Sequence, residues 1–489
     1  MSRIWSAQQL AIFKHFEFET KRNLVVRARA GTGKTTTIIE AINFAPEQKI
    51  LLAAFNAEIA KELSAKIAGN PRAEAKTLHG LGFAFLRSAW QGVRVEATNG
   101  QRAWDLALAA ASTAPDSIVK LIANLHTKVR EINPFARNIA DVLDVAYRFD
   151  LLPDTEEKVW VEAKVAAAAL EAIRAAKLRT AEIDFADMIF LPLVHGFVRP
   201  WFQLVVVDEA QDMSDSQLKL AVGACKRDGR IIIVGDNRQA IYGFRGADTG
   251  SLDRLKGELN AVELGLTITY RCASSIVALA KEIVPDYVSA PTAPLGVIST
   301  VGKDAMLAGA RAGDFVISRT NAPLVEVCLT LLKQGVRATI RGRDIGKGIL
   351  ALIRKLRAKS PVELIGSLTS WKKAELERAA ALGEKGEART QFVNDQFDLI
   401  VALTEGTISL KEIEDRLFNL FSDDNAAGKV ICTTVHKIKG QETDRTWLLE
   451  GTFQIKGEEA SNIRYVAITR AKTQLNWVKG FEKIKKTEE

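Results

Sequence analysis

The sequence predicts an α/β protein with two domains, each built on a parallel sheet and each carrying a mainly helical insertion. At 489 residues the chain is too long for one ordinary hydrophobic core. Short apolar runs that end in small or polar residues alternate with helical patterns in two separate regions, as buried parallel strands do. Two further stretches show helical periodicity without strand signals, and each interrupts an α/β region.

The strand runs form two groups along the chain. The first group comprises NLVVRA, KILLAAF, LVVVDEA and RIIIVGD, and the second comprises FVISRTN, VICTTVH and TWLLEG. Between the groups lies IVPDYVSAPTAPLG, whose closely spaced prolines indicate a crossing between domains. We predict a first α/β domain at 1–84 and 181–283 with a helical insertion at 85–180. We predict a second at 290–354 and 426–489 with a shorter helical insertion at 355–425.

The charge and cysteine content indicate which partners and which cellular compartment suit this protein. The 67 Lys and Arg exceed the 59 Asp and Glu by eight, which suits a phosphate-rich partner such as nucleic acid or simply a solvated surface. The four cysteines are far apart and lack metal-ligand spacing, which is typical of a reducing compartment. No run approaches the ~18 apolar residues of a membrane span, and the first residues lack the apolar core of a signal peptide. We therefore expect a cytoplasmic protein without a membrane partner.

The segment ARAGTGKT at 28–35 follows a strand run and precedes the helical TTTIIEAI. This context predicts a phosphate-binding loop, in which glycines let backbone N–H groups turn toward an anion at a helix N-terminus. Lys34 would reach the β- and γ-phosphates, and the Thr35 hydroxyl would hold Mg²⁺. A plain glycine-rich turn is the alternative interpretation. The predicted nucleotide-binding residues of this segment are Ala30, Gly31, Thr32, Gly33, Lys34, Thr35 and Thr36.

A second segment, LVVVDEAQD at 204–212, is an apolar strand that ends in adjacent carboxylates. Asp208 would support the Mg²⁺ ion, and Glu209 would act as general base on the attacking water. A solvated acidic strand end is the alternative. Together with the phosphate loop, this pair predicts an ATPase or GTPase. The segment GRDIGKG at 342–348 looks similar, but its glycine spacing is one residue short and no Ser or Thr follows Lys347, so it is predicted to be a helix-start turn.

Six segments occur in the order ARAGTGKT, VVVDEAQD, VGDNRQAIYGFRGAD, LTITYRC, TTVHKIKGQE and YVAITRAK. This ordered set spans nearly the whole chain and resembles the motifs of superfamily 1A helicases, the UvrD/Rep/PcrA family. QAIYGFRGAD and YVAITRA are its most specific members. The resemblance implies two RecA-like P-loop domains, and it makes this chain a compact member of the family.

The resemblance assigns nucleotide roles to the matching residues. Gln239 is similar to the glutamine that senses the γ-phosphate. Tyr270 resembles a residue that stacks on adenine, and Arg271 resembles a γ-phosphate finger. Arg470 matches a second finger from the second domain, and Glu442 matches an acidic residue that links a DNA motif to the nucleotide. The expected catalytic set is Lys34, Asp208, Glu209, Gln239, Arg271 and Arg470.

Three further positions qualify the resemblance. WSAQQLAI resembles an adenine-reading motif with Gln9 as the reader, but Gln9 lies three residues after Ser6, and that spacing also fits a helix capping box. Arg29 occupies a phosphate-loop position where the family commonly has glycine. Thr269 stands where the family usually has asparagine.

The resemblance also implies a track for single-stranded DNA. An aromatic in the QAIYGFRGAD loop would stack on a base without reading its identity, while loop hydroxyls, histidines and lysines would contact phosphates. Each of these residues could instead be structural. The candidate DNA-binding residues are Phe55, Asn56, Thr77, His79, Tyr242, Phe244, Thr434, His436 and Lys439.

Family membership would make the protein an ATP-dependent DNA helicase or translocase that uses Mg²⁺. It would move 3′→5′ on single-stranded DNA and act at duplex junctions. The sequence leaves two alternatives open: a translocase that displaces proteins with little unwinding, and a nucleic-acid-binding protein gated by ATP. RNA is the less favoured track, because stacking and phosphate contacts do not distinguish the sugars. A monomer is the expected state.

Overall fold

A computed structural model describes residues 4–19, 21–149, 151, 161–178, 181–241, 250–381, 387–421, 428–453 and 457–481. Contacts between residues divide the chain into two compact units. The first contains 1–29 and 33–266, and the second contains 30–32 and 267–489. The predicted end of the first domain at 283 stays a prediction. By contacts between residues, 267–283 group with the second unit.

The first unit has a main sheet, two short strands and helices on both faces of the sheet. Its strands are β1 (Leu24–Ala28), β2 (Ile50–Ala54), β3 (Ala73–Thr77), β4 (Arg94–Val95), β5 (Glu182–Ile183), β6 (Phe202–Val207), β7 (Cys225–Gly235) and β8 (Val262–Leu266). Its helices are α1 (Ala7–Phe18), α2 (Lys34–Phe44), α3 (Ala57–Lys66), α4 (Leu78–Ala89), α5 (Gln101–Ala110), α6 (Asp116–Ile132), α7 (Ile139–Phe149), α8 (Glu162–Leu178), α9 (Asp187–Val194), α10 (Asp215–Gly223) and α11 (Ser251–Glu258).

The main sheet of the first unit has the order β3-β2-β6-β7-β1-β8, and every neighbouring pair is parallel. Its central strands are apolar on both faces because one hydrophobic cluster covers each face. In a parallel sheet the carboxyl ends of the strands meet at one edge. The segments that follow β1, β6 and β7 therefore start at the same edge, and these segments carry the predicted nucleotide motifs.

Helices α5–α8 form the first insertion, as the sequence predicts, and they share a hydrophobic core with residues of α4 and α9. The parallel pair β4–β5 lies where the chain enters and leaves it. Four buried charged residues tie its helices to the segment 184–187. Arg130 donates to Asp184 at 2.6 Å and to Asp187 at 2.5 Å, and Arg102 donates to Asp187 at 2.5 Å. We call these four residues the insertion cluster.

The second unit repeats the layered plan. Its strands are β9 (Ile268–Thr269), β10 (Val288–Ser289), β11 (Val297–Gly302), β12 (Phe315–Ser318), β13 (Ala338–Ile340), β14 (Val430–Thr434), β15 (Thr443–Leu449) and β16 (Ala471–Lys479). Its helices are α12 (Ser274–Lys281), α13 (Lys303–Gly309), α14 (Ala322–Lys333), α15 (Arg343–Lys355), α16 (Pro361–Ala381), α17 (Glu387–Thr404), α18 (Leu410–Leu420), α19 (Val435–Ile438) and α20 (Glu458–Ile468). The main sheet has the all-parallel order β11-β16-β15-β12-β14-β13.

The seven strand runs that the sequence predicts are all strands, and the described part of 355–425 is mainly helical, in α16–α18. Helix α15 begins directly after Gly342, which has a φ of 133°. GRDIGKG is therefore a helix-start turn, as predicted. Across the described residues, no helix is long and apolar enough to cross a membrane.

Five strands of the two main sheets lie outside the predicted runs: β3, β8, β11, β13 and β16. Four of them, β3, β8, β11 and β13, are edge strands. An edge strand is less enclosed than a central one, so its sequence carries fewer apolar residues; β3 reads AEAKT and has no fully buried residue. Continuous apolar runs therefore do not identify these edge strands, and they also do not identify β16, an interior strand with the partly polar sequence AKTQLNWVK.

Candidate functional site

The segment between β1 and α2 has the backbone of a phosphate-binding loop. Gly31 and Gly33 have φ values of 68° and 77°, in the left-handed region that favours glycine. Gly33 is the N-cap of α2, and no side chain caps this helix start. The first N–H groups of α2 are thus available to an anion, and the positive end of the helix dipole lies beside them.

Four predicted residues meet at the carboxyl edge of the first sheet. Lys34 Nζ lies 2.9 Å from Glu209 Oε2, and Thr35 Oγ1 donates to Asp208 Oδ2 at 3.1 Å. Lys34 and Thr35 belong to the first turn of α2, while Asp208 and Glu209 directly follow β6. We call these four residues the phosphate cluster.

Burial shapes the charges of the phosphate cluster. Burial and the neighbouring charge of Glu209 raise the pKa of Asp208 to about 6. Burial also opposes the charge of Lys34, but the carboxylates of Glu209, Asp236 and Asp208 outweigh it and raise the pKa of this ammonium group. One ammonium group therefore faces more than one carboxylate, so negative charge exceeds positive charge in this cluster.

The backbone of Glu209 is strained. Its φ of 53° and ψ of 42° place a non-glycine residue in the left-handed region, which costs on the order of 1 kcal/mol or more. The conformation directs the chain into a short 3₁₀ turn at Ala210–Asp212. Strain of this kind persists where surrounding contacts hold it, and here Glu209 is held by Lys34 and by Gln211, whose Nε2 donates to its Oε2 at 2.6 Å.

Gln239 lies on the far side of a hydrogen-bonded path that starts at Glu209. The Gln211 Oε1 atom accepts from the Asp236 backbone N–H at 3.0 Å. The Asp236 carboxylate in turn accepts from Gln239 Nε2 at 2.8 Å. The amide of Gln239 is therefore connected to the phosphate cluster through two residues that the sequence analysis did not single out, Gln211 and Asp236. Both stand inside the quoted motifs, in VVVDEAQD and VGDNRQ, and their polar side chains next to strand ends were the available signal.

Gln9 takes part in the helix capping box that its spacing from Ser6 allows. The Ser6 side chain accepts from the Gln9 N–H, and Gln9 Oε1 accepts from the Ser6 N–H, which completes a capping box at the start of α1. The remaining amide nitrogen donates to Thr37 Oγ1 at 3.0 Å. Gln9 is thus buried beside the first turns of α2, and its role toward adenine stays a prediction.

The second unit brings together Arg271, Glu442 and the turn before Arg470. Arg271 forms an ion pair with Glu442, and its Nη1 donates to the Thr469 carbonyl at 3.2 Å. Arg470 is buried, and it donates to the carbonyls of Val466 and Gln441. Burial and the nearby charge of Arg271 lower the pKa of Arg470 to about 10. Arg470 is therefore cationic at neutral pH, and its surroundings favour an added anion.

The same unit holds the tip of the phosphate loop. The Ala30 N–H donates to the Tyr465 hydroxyl at 3.0 Å, and the Tyr287 hydroxyl donates to the Ala30 carbonyl at 2.9 Å. The Tyr270 N–H donates to the Gly31 carbonyl at 2.9 Å, while the Tyr270 side chain is half exposed, at 51%. An exposed ring in this position is free to contact a planar group.

Several DNA-binding candidates of the first unit have structural contacts. Asn56 caps α3 by accepting from the Ile59 N–H at 2.8 Å, and Thr77 caps α4 by accepting from the Gly80 N–H at 3.0 Å. The His79 ring stacks on Phe185 with 3.9 Å between ring centroids. Burial lowers the pKa of His79 to about 4, so this stacked pair is neutral near pH 7. Phe185 lies in the segment IDFADM at 183–188, just before α9, and it is 57% exposed.

The other DNA-binding candidates divide between the two units. Phe55 is partly buried after β2 in the first unit. Thr434 is buried at the start of α19, and His436 and Lys439 are partly buried in and just after that short helix. Tyr242 and Phe244 lie outside the described residues, so their predicted contacts with DNA stay predictions.

The chemistry of the phosphate cluster fits a hard divalent cation. Mg²⁺ prefers oxygen ligands and is usually held by one or two side chains together with phosphate oxygens. The Thr35 hydroxyl and the Asp208 carboxylate already lie within hydrogen-bond distance of each other. Burial and the charge of Glu209 oppose the negative charge of Asp208, and a bound cation would offset both. These two residues can therefore hold Mg²⁺.

Comparison with known proteins gives a consistent result. Residues 5–260 match the family model described as the UvrD/REP helicase N-terminal domain. Over 92% of its length the chain is 25% identical to F-box DNA helicase protein 1 of Schizosaccharomyces pombe. Over 53% it is 26% identical to a probable DNA helicase II homolog of Mycoplasma pneumoniae, and over 54% it is 25% identical to the ATP-dependent DNA helicase PcrA of Leuconostoc citreum.

The chain covers only part of these relatives. The matched regions amount to 55%, 39% and 37% of the three relatives in the same order. The family match covers five of the six strands of the first main sheet, all except β8, and the segments that carry the phosphate cluster.

Proposed function

The chain belongs to the UvrD/REP helicase family, and we propose that it is an ATP-hydrolysing DNA helicase that moves 3′→5′ on single-stranded DNA and separates duplexes. The observation that carries this proposal is the phosphate cluster. Lys34, Thr35, Asp208 and Glu209 meet at the sheet edge, and they are the residue types that nucleoside triphosphate hydrolysis uses, which supports the proposal. Direction of movement rests on the motif resemblance.

In the proposed reaction the protein binds and orients the triphosphate. The N–H groups at the start of α2 and the Lys34 ammonium group would hold the β- and γ-phosphates. Mg²⁺, held by Thr35 and Asp208, would neutralise phosphate charge when bound. Lys34 would exchange its present partner, Glu209, for phosphate oxygens, which removes one contact from the Glu209 carboxylate.

Glu209 is the proposed general base. A carboxylate can take a proton from water that attacks the γ-phosphorus, provided that it is ionised and within hydrogen-bond reach. Its side chain keeps 25% of its surface exposed, so water can reach it. Gln239, tied to Glu209 through Gln211 and Asp236, would report the loss of the γ-phosphate. Arg271 and Arg470 are proposed to bind the phosphates. For Arg470 the support is a buried cation whose hydrogen bonds go to uncharged oxygens, and for Arg271 it is the motif resemblance.

The stacked pair His79 and Phe185 supports the proposed contact with single-stranded DNA. Neutral rings with an exposed edge can stack on bases of any identity. This sequence-independent contact suits a motor that must pass over every sequence.

The experiment that tests the function is steady-state ATP hydrolysis at fixed low salt. The rate is measured without nucleic acid and then with single-stranded DNA, single-stranded RNA and blunt duplex DNA. We expect strong stimulation by single-stranded DNA, followed by unwinding of duplexes with a 3′ single-stranded tail. A low rate that none of the three changes would contradict the proposal and favour a binding protein gated by ATP. Efficient streptavidin displacement without unwinding would favour the protein-displacing translocase.

A further inference from the structure

Arg29 closes a circuit of hydrogen bonds around the phosphate cluster. It is buried, at 7% exposure, although it carries a charge and stands where the resemblance leads one to expect glycine. Its Nη1 donates to Asp236 Oδ1 at 3.0 Å and to Asn237 Oδ1 at 3.0 Å. The Asp236 side chain has no exposed surface. A buried carboxylate of this kind needs a charged partner close by.

The circuit runs from one end of the phosphate-loop segment to the other. From Arg29 it passes to the Asp236 carboxylate, and from the Asp236 N–H to Gln211. Gln211 donates to Glu209, which pairs with Lys34. Both ends of this path, Arg29 and Lys34, belong to the same segment at 28–35. A shift of either end therefore changes the geometry at the other.

Gln239 is attached to this circuit at Asp236. Its Nε2 donates to Asp236 Oδ2, while Arg29 occupies Oδ1 of the same carboxylate. The two oxygens of one carboxylate thus fix the relative positions of a cation and an amide. The Arg29 backbone is itself held, because its N–H donates to the Leu266 carbonyl at the end of β8 at 2.8 Å.

We propose that Arg29 is a positioning residue that sets Asp236, and through it the Gln239 amide, relative to the phosphate cluster. This inference rests on the proposed ATP hydrolysis. Arg29 does not touch the nucleotide in this role and acts on the rate through Gln239. The expected consequence of its loss is slower turnover with nearly unchanged nucleotide binding, because Lys34 and the start of α2 remain in place.

Arg27 provides a matched control. It is an arginine two residues earlier, at the end of β1, and it pairs with Glu263 at 2.9 Å and with Asp253 at 2.5 Å. Arg27→Met removes a charge and two ion pairs from the same unit without touching Asp236. Arg29→Met removes the charge and keeps a long apolar side chain.

The test measures kcat and KM for ATP at saturating single-stranded DNA, equilibrium ADP binding and thermal unfolding. The proteins are the wild type, Arg29→Met, Arg27→Met, Gln239→Ala and the double variant Arg29→Met/Gln239→Ala. We expect Arg29→Met to lower kcat about tenfold or more, with KM and ADP affinity within about threefold. Arg27→Met should keep kcat within about twofold. The double variant should be no slower than the slower single variant, because both changes act through one amide.

Three outcomes overturn the inference. One is a kcat of Arg29→Met within about twofold of the wild type. Another is a loss of ADP affinity as large as the loss of kcat, which would place Arg29 in nucleotide binding. The third is multiplication of the two single effects in the double variant, which would make them independent. Should Arg29→Met not fold, Arg29→Gln is measured by the same criteria. An inactive wild type would instead contradict the proposed function, and the inference would fail with it.

Discussion

Two clusters of buried charge lie in the first unit, and they differ in how completely their charges are matched. In the insertion cluster two arginines face two aspartates, and the side chains of Arg130 and Asp187 have no exposed surface. In the phosphate cluster Lys34 faces both Asp208 and Glu209, and the Glu209 side chain is 25% exposed. One cluster is balanced and closed, and the other has excess negative charge and access to solvent.

The pKa values of Asp184 and Asp208 follow this difference, whereas burial raises the pKa of Asp187 in the insertion cluster as well. Burial alone would raise the pKa of Asp184, but the Arg130 charge and its hydrogen bond outweigh burial and lower it. Burial and Glu209 together raise the pKa of Asp208 to about 6, against the attraction of Lys34. Buried charge by itself therefore does not mark a functional site. Unmatched charge with access for a ligand does.

The largest expected effect comes from Lys34→Ala. Removal of the cation from the phosphate cluster should lower the turnover of ATP by about 10³-fold, since the charge of the transferred phosphoryl group loses its partner. Single-stranded DNA binding should remain. Steady-state hydrolysis measures the turnover of ATP, and fluorescence anisotropy with labelled single-stranded DNA measures DNA binding. Lys66→Ala, which breaks an exposed ion pair with Glu62, is the control. Preserved turnover in Lys34→Ala would refute the site.

Arg130→Met should break the insertion cluster and leave the phosphate cluster intact. It leaves Asp184 and part of Asp187 unpaired in the interior, at a cost of about 3–5 kcal/mol. Hydrogen exchange of the α6 amides should accelerate accordingly, while kcat per folded molecule stays near the wild-type value. Arg174→Met, which removes an exposed pair with Glu171, should leave α6 exchange unchanged. A wild-type exchange rate in Arg130→Met would contradict the structural role of the cluster.

Arg470→Ala tests whether a buried charge without an opposite partner charge also marks a functional residue in the second unit. The hydrogen bonds of Arg470 to Val466, Gln441 and Thr469 go to uncharged oxygens, so its charge is available to an anion. We expect kcat to fall about 10²-fold and ATP affinity to change much less. Arg445→Ala is the counterpart, because Arg445 pairs with Asp314 and should affect stability instead of kcat. An equal collapse of ATP affinity in Arg470→Ala would exclude a role confined to the transition state.

The smallest predicted effect is a change in the free energy of unfolding with pH. His126 lies on α6 and is fully buried. Its Nε2 lies 2.9 Å from the Ala103 carbonyl oxygen, within hydrogen-bond distance. Burial and Arg130 lower the pKa of His126 from 6.5 to about 3. The unfolded chain therefore binds the extra proton between these values. Stability is complete above pH 6.5 and falls as the pH decreases, by up to about 1.4 kcal/mol per unit.

The variant His126→Gln should lack this contribution. The difference in unfolding free energy between wild type and variant should shrink by about 2 kcal/mol from pH 7 to pH 5. Urea unfolding at both pH values measures it. A constant difference would show that His126 takes up its proton equally in the folded and unfolded chains.

Much of the first site was predictable because its motifs are local. ARAGTGKT contains a strand end, a turn and a helix start within eight residues, and glycine spacing alone indicates its backbone. The strands that contain a continuous apolar run were found. The edge strand β3, with the sequence AEAKT, was not, since a partly exposed strand does not need an apolar run.

What the sequence by itself determined is therefore most of the central strands, the helical insertions, the family and the residue types at the site. The tertiary structure decided which of those residues touch. Thr35 meets Asp208 across 173 positions of sequence, and Arg29 meets Asp236 across 207. Such contacts depend on strand order in the sheet, β6-β7-β1, which places distant strand ends side by side. Local pattern carries no information on that order, because it follows from how the whole chain packs its apolar faces.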